Sequence, residues 1–208
     1  ADMPRIGMET HRRKALIDAT VATIHERGFG DATMAEIARR AGVSGGLAHH
    51  YFGSKAGLLN ATMRFLLTDL SRETRERMAG AEGPRARISA MISASFAPTQ
   101  FQPALISAWL AFYLQARTDA ETRRLLRIYH RRLVSNLAHA FAALIPGERA
   151  RHAAEGTAAM IDGLWLQHIF ADGPPQPRNA IRRVEDYVER QIAAPSPAAT
   201  DTAHKGNG

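Results

Sequence analysis

Glycine and proline residues are gathered into a few short clusters along the chain, and this spacing most constrains what the chain can fold into. Between the clusters run segments rich in alanine, leucine and arginine, in which apolar residues recur every three to four positions. We find no strand-like alternation bounded by hairpin turns and no internal repeat. The pattern therefore predicts an all-α protein. The clusters are Gly28–Gly30, Gly42–Gly46, Gly80–Pro84, Pro98–Pro103, Pro146–Gly147 and Gly173–Pro177.

The N-terminal segments carry recognisable helix-end signals. The first helix is predicted from Glu9 to Arg27, with Gly28 as its C-cap and Phe29 returning to the core. Thr33 and Glu36 are spaced as a capping box, in which each side chain satisfies a free backbone amide of the other.

The same spacing predicts about nine helices in two domains. We expect a three-helix N-terminal head over residues 3–53, a larger helical domain over residues 54–194, and a disordered tail over 195–208, which lacks periodicity. After the first, the predicted helices are Met34–Ala41, a short one from Ser44 to Tyr51, Lys55–Ala79, and segments near 84–97, 101–116, 119–144, 147–172 and 178–193.

The stretch AEIARRAGVSGGLAHHYF, residues 35–52, has the spacing of a helix-turn-helix. Ala38 is small where two helices must cross, and Gly42 stands where the chain needs a positive φ. Val43 fills the angle between the helices, and Ser44 caps the second of them. Helical hairpins of other kinds share these features, so DNA binding is the favoured interpretation and a generic hairpin the alternative.

Composition excludes several classes of site. The chain has no cysteine, which rules out disulfides and thiolate metal sites. No apolar run approaches the roughly 20 residues that cross a bilayer, and no secretory signal is visible, so we expect a cytoplasmic protein without membrane contact. A nucleophile elbow, a P-loop, a dinucleotide motif and metal-ligand spacing are all missing, so we expect no enzyme, cofactor or metal. The adjacent His49 and His50 point about 100° apart on a helix, which disfavours a metal pair.

The run SGGLAHHYFGSKAGLLNATMRF resembles the TetR family of bacterial transcriptional repressors. The resemblance implies that the helix after Ser44 enters the major groove of double-stranded operator DNA. It also implies that one ring of the pair Tyr51–Phe52 reaches phosphate while the other packs inward, and that Lys55 contacts phosphate. A purely structural Tyr51 is the alternative. The candidate DNA-binding residues are Arg12, Thr33, Ser44, Gly45, Gly46, His49, His50, Tyr51 and Lys55.

The resemblance extends over roughly residues 3–193 and is closest to the choline-responsive repressors of that family. It is carried by MPRIGMETHRRKALIDATVATI at the start, AWLAF at 108–112, RRLVSNL at 131–137 and AAMIDGLWL at 158–166. It implies a repressor of choline-to-glycine-betaine genes that responds to choline. A repressor responding to another lipophilic or quaternary cation, of the multidrug type, and a helical adaptor that binds no DNA are the alternatives.

Aromatic residues are concentrated in the segments of closest resemblance. A quaternary ammonium cannot donate a strong hydrogen bond, so its receptors use aromatic faces, often with a carboxylate nearby. Ordinary core packing of these aromatic residues is the competing interpretation. The candidate ligand-binding residues are Trp109, Phe112, Tyr113, Tyr129, Asp162 and Trp165.

The resemblance also implies a homodimer, formed by the last two long helices, that reads a palindromic operator. Their apolar positions exceed what one thin domain could bury. The candidate interface residues are Ala154, Ala158, Ile161, Ile169, Val184, Val188 and Ile192.

Overall fold

A computed structural model describes residues 5–195, with side chains from residue 7 onward. Over this range the chain forms nine α-helices and one 3₁₀ helix and no strand, which confirms the all-α prediction. No helix in the described range is long and apolar enough to cross a membrane. The predicted disordered tail lies outside the described residues, apart from Pro195. The helices are α1 (Arg5–Asp31), α2 (Met34–Arg40), α3 (Gly45–Phe52), α4 (Lys55–Ala79), α5 (Gly83–Ser95), α6 (Pro103–Gln115), α7 (Ala120–Ala142), α8 (Glu148–Ile169) and α9 (Pro177–Ala193), with the 3₁₀ helix at Pro98–Phe101.

Side-chain caps begin three consecutive helices. The hydroxyls of Thr33, Ser44 and Ser54 each accept a hydrogen bond from a backbone amide three residues later, at 3.0–3.2 Å. Half of the expected capping box is therefore confirmed. The reciprocal half is wrong, because the Glu36 carboxylate pairs with Arg27 Nε at 2.8 Å instead of returning to Thr33.

Gly28 breaks α1 but does not end it. Its φ of 76° and ψ of 161° are non-helical, as expected for a helix-ending glycine. The chain then makes a further short helical stretch to Asp31 and turns Phe29 against the core. The helix also starts four residues earlier than predicted, at Arg5.

The segment before α6 differs from its prediction. A helix was expected near residues 101–116, but Pro98–Phe101 forms a 3₁₀ turn and Gln102 is extended. α6 then begins at Pro103, whose ring fixes φ at a helical value and which needs no amide partner at this position. This turn holds Gln100 in the interior, where the residue is 9% exposed.

The protein has two hydrophobic cores, and α4 contributes to both. A smaller core joins α1 to α3 and takes in Leu16, Ile37 and Ala48, together with Leu58 from the first turn of α4. The next residue, Leu59, belongs to the larger core of α4 to α9. Helix α4 thus connects the N-terminal head to the larger domain, together with α1, whose Ile24 also belongs to the larger core.

A buried polar junction fixes α4 against α7. Asn60 Nδ2 donates to Asp119 Oδ2 at 3.1 Å, and the Thr122 hydroxyl lies 2.6 Å from Asn60 Oδ1. The Thr122 backbone amide also donates to Asp119, which caps α7, and these hydrogen bonds hold the pKa of Asp119 below its usual range. Because hydrogen bonds are directional, the junction fixes the point at which Asn60 of α4 meets α7.

The expected subunit-interface residues require a correction. Five of the seven lie inside the protomer and are at most 2% exposed, because their sides of α8 and α9 face the core of their own chain. A residue with no exposed surface has none to bury against a partner. Ile169 and Ile192 keep partial exposure. The five buried residues are Ala154, Ala158, Ile161, Val184 and Val188.

Candidate functional site

Helices α2 and α3 form the expected helix-turn-helix. Gly42 has a φ of 68°, the positive value predicted for it. Ala38 is 1% exposed at the helix crossing, and Val43 packs against the core of the head. The sharp turn holds α3 across the end of the molecule, so that one face of α3 is buried and the opposite face is open.

The open face of α3 carries small residues and histidines. Ser44, Gly46, His49 and His50 are exposed, and Gly45 is half-buried. His49 Nδ1 lies 3.0 Å from the carbonyl oxygen of Gly53. The small residues let the backbone at the start of α3 come close to another surface, and the two imidazoles supply hydrogen-bonding groups.

Tyr51 and Phe52 both pack against the core of the head, and Arg13 from α1 covers them. The Arg13 guanidinium lies 4.7 Å from the centre of the Tyr51 ring and 5.4 Å from that of Phe52. It also donates to the Tyr51 carbonyl at 3.2 Å. The Tyr51 hydroxyl has no hydrogen-bond partner within residues 7–195, so it is free to meet an external group.

Lys55 has internal partners that the sequence did not indicate. Its ammonium group donates to the carbonyls of Phe29 and Gly30 at 2.8 and 3.0 Å and lies 4.6 Å from the centre of the Phe29 ring. These contacts satisfy carbonyls at the end of α1, beyond the break at Gly28. Two hydrogen bonds leave the third N–H of Lys55 for another acceptor.

The basic cluster at the start of α1 is partly neutralised. Arg13 pairs with Glu9 at 2.8 Å, and Lys14 pairs with Asp18 at 2.7 Å. The half-buried Arg12 makes no ion pair within the described part of the chain. Arg39, which is exposed at the end of α2, also makes no ion pair within the described residues. The sequence analysis did not select Arg39, because nothing in the sequence distinguishes it from Arg40, which pairs with Glu26. Thr33 is exposed beside this surface and serves as the α2 cap.

The second site is a cavity in the larger domain, between α4, α6, α7 and α8. Its volume is about 30 Å³, which is room for one or two water molecules. Five of the six predicted ligand-binding residues border it: Trp109, Tyr113, Tyr129, Asp162 and Trp165. Leu70, Ser95, Gln100 and Ile161 complete the wall and were not predicted as ligand-binding residues.

Trp109 stands at the centre of the aromatic wall. Its ring centre lies 5.8 Å from that of Tyr129 and 6.4 Å from that of Tyr113, with the planes inclined at 44° and 33°. Phe112 packs edge-on against Trp109 at 5.8 Å but is fully buried and does not border the cavity. The prediction that Phe112 binds the ligand is therefore corrected. Phe112 instead packs against Trp109 and supports its ring.

One carboxylate dominates the electrostatics of the cavity. Burial raises the pKa of Asp162, opposed by His130, whose Nδ1 lies 3.8 Å from Asp162 Oδ2. Burial and the nearby Asp162 charge raise the pKa of Tyr113 to about 12 and raise that of Tyr129 as well. Both phenols are therefore neutral at physiological pH, and Asp162 is the charged residue among those that line the cavity.

The exposed side of α8 and α9 forms a wide groove. It measures about 550 Å³ and is lined by Met160, Gly163, Leu164, Gln167, Arg183, Asp186, Tyr187 and Arg190. Leu166 on α8 is 42% exposed, and Phe170, directly after the end of α8, is 71% exposed. Tyr187 crosses α8 so closely at Gly156 that a Cβ there would lie 2.0 Å from the phenol oxygen. These residues, rather than the buried stripe, form the accessible face of the last two helices.

Comparison with known protein families agrees with both parts of the structure. Residues 84–193 match the family described as BetI-type transcriptional repressor, C-terminal. Residues 16–62 match the family of bacterial regulatory proteins named after tetR. The chain belongs to the TetR family. This membership confirms the expected class, a transcriptional regulator rather than an enzyme.

Curated relatives are similar over nearly the whole TetR-family chain. Proteins from Brucella anthropi and Agrobacterium fabrum, each named HTH-type transcriptional regulator BetI, are 50% identical to it. Both alignments cover 91% of this chain, with 98% and 92% of the respective relative. The resemblance derived from the sequence is thereby confirmed.

Solved structures support the TetR fold. A transcriptional regulator from Pseudomonas aeruginosa PAO1 matches with a TM-score of 0.80 and 29% identity, over 89% of this chain and 92% of that one. A regulator from Saccharomonospora viridis, solved in complex with choline, matches with a TM-score of 0.75 and 18% identity, over 85% and 95%. At 18% identity, the match to the Saccharomonospora viridis structure shows similarity of the fold alone.

Proposed function

We propose that the chain is a repressor of choline-to-glycine-betaine genes, which binds a palindromic operator as a homodimer in the cytoplasm and is released from it by choline. The observation that carries this proposal is the cavity in which four aromatic rings and one carboxylate, predicted from separate parts of the sequence, border one space. The choline complex of a structural relative and the BetI name of the curated relatives support the same ligand.

The chemistry of the cavity suits a quaternary ammonium ion. Trp109, Tyr113 and Tyr129 border the cavity, and the faces of aromatic rings attract a cation without needing a hydrogen bond from it. Asp162 supplies the opposite charge at partial burial, where attraction is stronger than in water. Tyr113 is 42% exposed, which places it at the mouth. Because the cavity of about 30 Å³ is smaller than a cation with methyl groups, the wall side chains move apart to admit it, and the cation then exchanges water for aromatic contact and keeps one compensating charge.

The head supplies the operator contacts. In the proposed division, residues 3–53 read DNA while residues 54–194 bind ligand and partner. α3 offers the exposed His49 and His50 to base edges in the major groove, and the N-termini of α2 and α3 face phosphate with their free amides. Two such heads in a dimer match the two halves of a palindrome. The α8–α9 groove with Leu166 and Phe170 is the face we assign to the partner subunit.

Helix α4 connects ligand and DNA. Leu70 borders the cavity, and Lys55 at the other end of the same helix follows directly on the recognition helix α3. A ligand that fits the cavity better in one position of α4 shifts the protein towards that position. The distance between the two heads then no longer fits the half-sites.

Tryptophan fluorescence during a choline titration tests the ligand part directly. Trp109 and Trp165 are the two tryptophans of the chain, and both border the cavity. We expect a saturable change with choline and none with sodium chloride, and Trp109→Ala should weaken choline binding measured by calorimetry. Leu114→Ala, an exposed change on the same helix, is the matched control. A mobility-shift assay with and without choline then tests release, and choline that binds without weakening operator affinity contradicts it.

A second candidate is a repressor that responds to other lipophilic cations. It is favoured by the apolar Leu70 and Ile161 in the same wall, which accept larger hydrocarbon groups than methyl. A panel of tetraalkylammonium and aromatic cations in the same titration separates the two. Tighter binding of the bulkier cations than of choline favours this candidate.

A further inference from the structure

Gln100 is held rigidly at the edge of the aromatic cavity by its own backbone and neighbours. The Trp165 indole N–H donates to the Gln100 carbonyl at 3.3 Å. Phe101, the next residue, stacks on Phe96 at 6.5 Å and contacts the His168 ring at 5.8 Å. The 3₁₀ turn is therefore anchored on both sides of the Gln100 side chain.

The carboxamide of Gln100 has no hydrogen-bond partner within residues 7–195, although the residue is 9% exposed. In that range no fully enclosed side-chain nitrogen or oxygen lacks a partner, so the amide atoms keep some open surface. Gln100 is one of the residues that border the cavity, which is the space next to this amide. A buried amide usually has a partner, and here an occupant of the cavity is placed to supply it.

The position of this amide adds a second chemical requirement to the site. The aromatic rings and Asp162 suit the cationic end of a ligand, whereas Gln100 both donates and accepts hydrogen bonds. Among the other uncharged polar groups of the wall, Ser95 already donates its hydroxyl to the Met91 carbonyl at 3.0 Å, and the phenols of Tyr113 and Tyr129 border the cavity as well. A carboxylate-bearing ligand would bring a second negative charge into a space that already contains Asp162.

We propose that Gln100 is a specificity-determining residue, which hydrogen-bonds a neutral polar group on the ligand and so selects quaternary ammonium ions that carry a hydroxyl. This inference rests on the proposed function, because it assumes that the cavity binds a cation. The site prefers choline to a cation of the same size whose hydroxyl is replaced by methyl, since that cation leaves the amide unpaired.

The test compares choline with n-propyltrimethylammonium by calorimetry. We expect the wild-type protein to bind choline at least about tenfold more tightly, as one buried hydrogen bond allows. Gln100→Leu should reduce this preference to less than about threefold by weakening choline alone. Gln102→Leu, the same change at an exposed position two residues away, should keep the wild-type preference. Gln100→Met, which keeps an unbranched side chain, serves in place of Gln100→Leu if the latter does not fold.

The outcomes separate this inference from the proposed function. Equal affinity of the wild-type protein for both cations overturns the role of Gln100 while leaving a cation site. An equal loss for both cations in Gln100→Leu and Gln100→Met shows a packing role and also overturns it. Failure of the wild-type protein to bind either cation overturns the proposed function, and this inference with it.

Discussion

The ammonium group of Lys55 and the carbonyl oxygen of Phe29 are 2.8 Å apart, which fastens the first turn of α4 to the end of α1. The recognition helix α3 lies in the chain between these two points. Its orientation is therefore set by an internal contact of a residue that the sequence indicated only as a phosphate ligand. We therefore expect Lys55 to affect both the stability of the head and the proposed fit to DNA.

Lys55→Met should lower both stability and operator affinity. Loss of two hydrogen bonds from a charged donor, one to the half-buried carbonyl of Phe29 and one to the exposed carbonyl of Gly30, should reduce the free energy of unfolding by about 1–3 kcal/mol. Chemical denaturation measures this change, and fluorescence anisotropy with operator DNA measures the affinity. Unchanged stability with reduced affinity would contradict the internal role.

Arg12→Ala should weaken DNA binding without affecting stability, because Arg12 has no ion-pair partner within residues 7–195. The logarithmic dependence of affinity on salt should become shallower by about one unit, as for the loss of one phosphate contact. Anisotropy titrations at several salt concentrations measure the slope. Arg13→Ala is the comparison, since Arg13 covers Tyr51 and Phe52 and its loss should destabilise the head as well.

Gly57→Ala should destabilise the junction between α3 and α4. A Cβ on Gly57 would lie 2.2 Å from the backbone oxygen of Phe52, so the end of α3 has to move. We expect a loss of about 1–3 kcal/mol in the free energy of unfolding, together with weaker operator binding. Gly46→Ala is the matched control for stability, because its Cβ meets nothing within 4 Å and helix propensity favours alanine by up to about 1 kcal/mol. Equal stability of the two variants would show that α3 adjusts without cost.

Asp162→Asn should weaken choline binding about tenfold, or roughly 1.4 kcal/mol, by removing the charge opposite the cation. In the wild-type protein the ionised carboxylate binds the cation, so affinity should fall as the pH is lowered. Burial raises the pKa of Asp162 above its ordinary value of 3.8, and the fall should begin at a correspondingly higher pH. Calorimetric titrations across this range should show a flat profile for Asp162→Asn. His130→Gln separates the contribution of the imidazole 3.8 Å away.

Phe170→Glu should shift the protein towards the monomer. Phe170 is 71% exposed beside the α8–α9 groove, where we place the partner subunit. A charge buried in an apolar contact without a partner is costly, so the association should weaken by an order of magnitude or more. Light scattering coupled to gel filtration measures the mass. Leu114→Glu, at an equally exposed position on α6, should keep the wild-type mass, and the same mass for both variants would place the interface elsewhere.

Local signals account for what the sequence predicted well. Thr33, Ser44 and Gly42 act through atoms a few residues away, so their roles follow from spacing alone. The family resemblance singled out Trp109, Asp162 and the neighbouring aromatic residues, which lie on three different helices and meet only in the folded chain.

The remainder depended on contacts between distant segments. Gln100 lies in a 3₁₀ turn without periodicity, and it is held in place by a hydrogen bond from the indole of Trp165, 65 positions later in the chain. The apolar stripe of Ala154, Ala158 and Val184 was predicted as subunit interface and is instead buried within the protomer, because periodicity does not tell whether a stripe faces the same chain or another one. Exposed apolar residues such as Phe170 break the pattern and were overlooked.

The hydrogen bonds from Asn60 to the start of α7 make Asn60 a fixed point about which α4 can rotate. With a rise of 1.5 Å per residue, Leu70 is about 15 Å from this point on one side and Lys55 is about 7.5 Å from it on the other. In the proposed mechanism, a displacement at the cavity arrives at the head at about half its size and in the opposite direction. Release from the operator then requires only that this smaller movement, made by both heads of a dimer, exceeds the mismatch that the half-sites tolerate.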